Sequence, residues 1–215
     1  MSPENRPAPI TPHRVSRTIS RLRFTLLFLA AMLLANLAAG SAFDHLPAEV
    51  LETWGIGYDS FFSGNAFRIV TGTFLSHDPA MLLRQLVFAG AVIGHTEWRR
   101  GSARAAALFF GLDIAGTLAL LALTGWSAGL VDLTAVNDVG MSVGGFGLIG
   151  VAIAGWDRRW LLLCAISLAI AAKYAISPDP LADLGHILAL VIGFALGAIL
   201  PTLQGSAREE TARAR

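Results

Sequence analysis

The chain has 215 residues, a formal net charge of +1, 54% apolar residues and only 14% charged ones, with a mean hydropathy of +0.61. Soluble domains carry nearer a quarter charged residues, so composition excludes an ordinary soluble domain and points to a membrane protein. The arginines lie between apolar runs and form no continuous basic face for nucleic acid, and the single cysteine, Cys164, excludes a disulfide framework and a cysteine-based metal site.

Residues 1–20 are polar and proline-rich and read as a disordered cytoplasmic tail. A membrane domain is expected over 21–203. A hydrocarbon core about 30 Å thick takes roughly 20 apolar residues per helix. Six windows qualify: 24–43, 79–97, 104–124, 137–156, 159–176 and 182–200. The first has an arginine-rich front and a "GSA" sequence at Gly40–Ala42, like a signal peptide. Its apolar run is too long for one and five more windows follow, so it is taken as a retained helix. The linker 44–66 holds apolar residues at helical spacing without a Lys or Arg, as in a segment lying in the interface plane. Residues 204–215 read as a second cytoplasmic tail.

Arginine placement sets the orientation. The N-terminal tail, "EWRRGSAR" (97–104), "DRR" (157–159) and the C-terminal tail are basic, whereas 44–66 and 125–136 contain no Lys or Arg. Cytoplasmic loops carry the excess of Lys and Arg, so both termini are expected inside. The preference for arginine over lysine, with abundant alanine, fits a GC-rich bacterial genome.

On this topology the second, fourth and sixth windows enter from the outer face. Ser142 is then the sixth residue of the fourth window, His186 the fifth of the sixth, and Gln85 the seventh of the second, with His77 just above it. At about 1.5 Å of rise per residue, the three side chains share a level roughly 6–9 Å below the outer boundary. Polar groups at such depth face a bundle interior or a water-filled cavity. If Ser142 and His186 meet, the neutral imidazole can take the proton from a hydroxyl that is otherwise too weak a nucleophile. Helix packing on Gly140/Gly144 and Gly193/Gly197 is the alternative account of the glycine-rich frames. Asp138 and Asp183 stand at the outer ends of their helices, as first-turn acids favoured by the helix dipole or as groups orienting His186 in the manner of a third triad member. Arg84 is expected to snorkel outward or pair with Asp78, Asp113 to find a polar partner inside the bundle, and Glu97 to have a structural task. The tryptophans Trp54, Trp98, Trp126 and Trp156 read as interface residues.

The frames "GMSVGGFGLIG" and "GHILALVIGFALG" resemble those of the rhomboid family of intramembrane serine proteases. The first supplies Gly140 two before Ser142, Phe146 four after it and Gly150 eight after it. The second supplies His186 with Gly193 and Gly197. The resemblance extends, without a gap, to Arg68, Thr71, Phe74, Gly94, Glu97 and Gly101, and covers about Phe67 to Gly197. It implies an all-α polytopic membrane protein with a six-helix rhomboid fold, in the bacterial inner membrane. Its implied activity is cleavage of single-pass membrane proteins by a Ser142–His186 dyad, without metal or cofactor. Phe146 would pack on His186, and Gln85, with Gly140 and His77 as auxiliaries, would help at the oxyanion.

The departures are specific. The family's second-helix histidine and asparagine fall on Met81 and Gln85, an earlier histidine on Ser76, the glycine after the serine on Val143, and the glycine three after the histidine on Ala189. Loss of one oxyanion donor costs about 10²–10³ in turnover, so a second expectation is a rhomboid-like pseudoprotease that binds transmembrane clients. A third, a small transporter using Asp113 and His186, would require solute flux dependent on Asp113.

Overall fold

The structure, a computed structural model, describes residues 21–129 and 132–213, with side chains to residue 200; the expected tail 1–20 lies outside them. Helix α1 (Arg23–Ala39) leads into a loop of short helices, α2 (Ala48–Trp54), α3 (Tyr58–Phe62) and α4 (Arg68–Thr71), closed by a 3-10 turn at Gly72–Phe74. The long helices α5 (Pro79–Arg100) and α6 (Ser102–Ser127) follow, then α7 (Ser142–Ile153), α8 (Arg159–Ile176) and α9 (Pro180–Arg213). The protein is therefore mostly helical, with no strand among the described residues beyond one isolated bridge, Ile56 to Asp138.

Helices Ser102–Ser127, Arg159–Ile176 and Pro180–Leu200 are long and apolar enough to cross a membrane. Arg23–Ala39 and Ser142–Ile153 are apolar but shorter. Helix α5 has the length, but Arg84, Gln85, His95, Glu97, Arg99 and Arg100 interrupt its apolar character. The window 137–156 is the clearest correction. Residues 137–141 lie outside the helix, because Asp138 exchanges backbone hydrogen bonds with Ile56 and Gly140 N–H donates to the Gly72 carbonyl at 2.9 Å. Ser142 is consequently the first residue of its helix and not the sixth. The backbone of α9 stays helical to Arg213, past the start of the expected tail at 204.

Polar side chains fix the ends of these helices. The first turn of α1 has no cap of its own; Glu97, at the far end of α5, accepts from the Phe24 and Thr25 N–H groups at 2.8 Å and from Thr25 Oγ1 at 2.6 Å. Four N–H groups at a helix start lack intrahelical partners, so a buried carboxylate there satisfies donors that water cannot reach. This is the structural task of Glu97. Helix α5 begins with Asp78 as N-cap, its side chain accepting Met81 N–H at 2.7 Å, and Pro79 at the first helical position. Arg84 is exposed.

The core lies between α1, α5, α6 and α7, around Phe28, Met32, Ile93, Phe109, Leu112 and Leu148. Helices α7 and α9 touch backbone to backbone. A Cβ on Gly193 would fall on the Gly147 carbonyl, and one on Gly150 would fall on the Leu190 carbonyl. Without a hydrophobic driving force between helices in lipid, such close van der Waals contact is what association rests on. Helix α8 is different: Ile170 is its one buried residue among those described.

Candidate active site

The tight α7–α9 contact brings together side chains 44 residues apart. His186 Nε2 lies 2.8 Å from Ser142 Oγ, and both residues are half-buried. With its proton on Nδ1, the imidazole accepts the serine hydroxyl through Nε2. One turn into α7, Phe146 stacks on the imidazole at 4.4 Å between centroids and 26° between planes, with Phe88 behind it at 5.5 Å. The stack holds the ring's tilt and the hydrogen bond holds its direction. Val143, standing where a glycine was expected, turns away from this contact: it packs toward Gly116 and Gly185.

A second polar chain approaches from α5. Gln85 Oε1 accepts Ser76 Oγ at 2.9 Å, Ser76 N–H donates to Asn36 Oδ1 at 2.8 Å, and Asn36 Nδ2 donates to the Met32 and Phe74 carbonyls at 2.8 Å. Ser41 Oγ completes the set on Asn36 Oδ1 at 2.7 Å. All these groups are buried, and buried polar groups are stable only when bonded in this way. The chain orients the Gln85 amide so that its nitrogen, without a protein acceptor among the described residues, lies against Gly140. Gly140 has φ +133°, and a Cβ there would collide with that nitrogen and stand 3.1 Å from Met81 Cε. Glycine is therefore required both by backbone conformation and by space.

Neither expected acid hydrogen-bonds His186, which corrects the triad expectation for both. Asp183 accepts from Lys173 Nζ at 2.9 Å and from Asp179 N–H at 3.2 Å. Asp138 Oδ1 lies 2.9 Å from His77 Nε2 and also accepts Val139 N–H at 2.8 Å. His77 is thus engaged with Asp138, and no hydrogen bond joins it to Ser142 or His186 among the described residues. Its bond to Asp138 raises its pKa above the ordinary imidazole value; desolvation opposes this, and the charges of Asp138, Asp179 and Asp78 add to it.

Behind Ser142 stands Asp113. Its carboxylate, 3% exposed, accepts Gly144 N–H at 2.9 Å and Thr73 Oγ1 at 2.7 Å. Asp113 therefore caps α7 from the middle of α6 and ties both to the 3-10 turn. A partly open cavity of about 40 Å³ beside it is lined by Thr117, Thr124, Asp138 and Gly140 among others, enough for a water molecule. A larger cleft, about 460 Å³, reaches His186 and lies between Phe146, Asp183 and the α8 residues Ala165, Ile166, Ala169 and Lys173.

Asn36 and Lys173 were not anticipated by sequence reasoning. A signal existed for each: Asn36 is an amide inside an apolar window, and Lys173 is the single lysine of the chain, near the outer end of the fifth window. Among the described residues no group of three or more His, Cys, Asp or Glu side chains forms a possible metal site. No protein-family model and no curated protein matches this chain.

Proposed function

We propose that this protein is an intramembrane serine protease of the rhomboid type, with its six apolar windows as the spans of a bacterial inner-membrane protein and both termini cytoplasmic. The observation that carries the reading is the 2.8 Å contact of Ser142 Oγ with His186 Nε2, made between two helices and set by Phe146 stacking. A packing serine has no need of an oriented imidazole. The resemblance of both glycine frames to rhomboid proteases supports the same reading.

In the proposed reaction His186 Nε2 takes the Ser142 proton as the oxygen attacks a scissile carbonyl of a transmembrane segment. Negative charge develops on the carbonyl oxygen. The Ser142 N–H, first of a helix and so without an intrahelical acceptor, and the uncommitted Gln85 amide are the donors within reach of that role. As the C–N bond breaks, His186 returns the proton to the leaving amine, leaving an acyl-enzyme. Water then attacks the ester with His186 again as base, releasing the acid and restoring Ser142. The substrates are single-pass membrane proteins entering from the lipid bilayer.

Covalent labelling by a fluorophosphonate in detergent tests this. Wild type should label, Ser142→Ala and His186→Ala should not, and Gln85→Ala should label about 10²-fold more slowly if the amide serves the oxyanion. One observation favours a second reading, client binding without cleavage. Met81, which can donate no hydrogen bond, stands beside Gly140 and accepts His77 N–H on its sulfur at 3.3 Å. A folded wild type that never labels, but retains transmembrane partners through purification, would favour it.

A further inference from the structure

The two oxyanion donors of the proposed reaction come from different parts of the chain, so something must hold them in register. Gln85 belongs to α5, and its orientation is set through Ser76. The Ser142 N–H follows the non-helical segment 137–141. Val139 and Met141 of that segment are buried, Gly140 has no side chain, and Asp138 carries its one charge. That charge meets His77, whose neighbours are both anchored: Ser76 on Gln85 and Asp78 as the cap of α5. The His77 carbonyl is held too, accepting Leu46 N–H at 2.8 Å. The contact therefore links the α5 side of the site to the segment that delivers Ser142.

We propose that His77 and Asp138 are positioning residues for Ser142, forming an outer strap that grips residues 137–141 when His77 is protonated and loosens when it is neutral. The proposal rests on the reading of Ser142 as nucleophile. The strap is half-exposed, with side chains 38% and 29% accessible, so it meets external pH directly.

The groups facing His77 are all acids: Asp138 on the segment before α7, Asp78 on its own turn, and Asp179 in the loop before α9. They favour the imidazolium. For a group whose folded value is raised, the stabilisation is complete below the ordinary imidazole range near 6.5 and is lost as pH rises through the raised folded value. Mild acid outside should tighten the strap, and alkali should release it.

The test uses full-length protein in nanodiscs, with hydrogen exchange of residues 137–141 followed across pH and corrected for intrinsic exchange. Wild type should lose protection by roughly threefold to tenfold on passing from pH 6 to pH 9, the range expected for a partly exposed charged hydrogen bond. His77→Gln should be less protected at pH 6 and show no step. His77→Arg, permanently charged, should remain protected at pH 9. Exchange within α9 reports whether each variant is folded. The fluorophosphonate labelling rate of wild type divided by that of His77→Arg cancels the titration of His186 and of the probe; it should fall by at least about threefold between the same pH values. No step in wild type, a step retained in His77→Gln, or no rescue by His77→Arg would overturn the strap even if Ser142 labels normally. A step in exchange without labelling at any pH would instead overturn the nucleophile reading, and with it the positioning role.

Discussion

Helix α9 has two very different neighbours. Against α7 it is packed through glycines, carbonyl to Cα, so closely that no side chain fits between Gly147 and Gly193. Against α8 it packs through side chains, Leu190 and Phe194 with Ile170 and Trp160, and Ala165 and Ala169 leave a cleft of about 460 Å³ that reaches His186. The dyad lies at the junction of the two. Its geometry is held on the close-packed side, while the cleft on the open side reaches His186.

Breaking the close-packed side should have the largest effect. Gly193→Ala forces a Cβ onto the Gly147 carbonyl, and overpacking of this kind costs typically about 1–3 kcal/mol; thermal unfolding in detergent should show a marked fall in Tm together with loss of labelling. Asp113→Ala leaves the buried Gly144 N–H without its acceptor, whereas Thr73 Oγ1 keeps the Ile69 carbonyl at 3.0 Å. A buried donor left unsatisfied costs about 1–3 kcal/mol, and Asp113→Asn, which keeps one acceptor oxygen, should recover part of the loss in the same assay.

Changes on the open side should be smaller in stability and more specific in activity. Lys173→Ala removes the half-exposed partner of the buried Asp183 carboxylate. The exposed pair itself contributes at most about 1 kcal/mol, so most of any larger cost would come from the stranded acid. Lys173→Ala with Asp183→Asn should then be more stable than Lys173→Ala alone. Ala169→Leu fills the cleft without touching the α7–α9 contact. It should change stability by less than about 0.5 kcal/mol, while slowing labelling by a bulky fluorophosphonate more than by a small one. Equal slowing of both probes would mean that the cleft is not the route to Ser142.

Sequence reading and structure part company at identifiable residues. The membrane character, the positions of the long apolar helices, and the glycine frames around Ser142 and His186 could be read from hydropathy and spacing. The helical placement of 137–141 could not. Those residues are apolar enough for a helix, but Ile56, Gly72 and His77 offer them partners from a loop more than sixty residues earlier. The same limit explains the acids. Asp183 and Asp138 lie three and four residues before His186 and Ser142 in the sequence, which suggests an orienting role, yet each is hydrogen-bonded elsewhere, Asp183 to Lys173 and Asp138 to His77.

Local averages of composition are enough to determine that a segment prefers lipid to water, because transfer free energy sums over residues regardless of their partners. They also determine where two helices have no side chains to keep them apart. Which polar group satisfies which is a matter of distance in three dimensions. Glu97 capping α1, Asp113 capping α7, and Asp138 meeting His77 all follow from the way the helices stack. In each case a polar group takes a complementary partner, and where it is buried, as Glu97 and Asp113 are, leaving it unbonded costs more than the hydrogen bond gains.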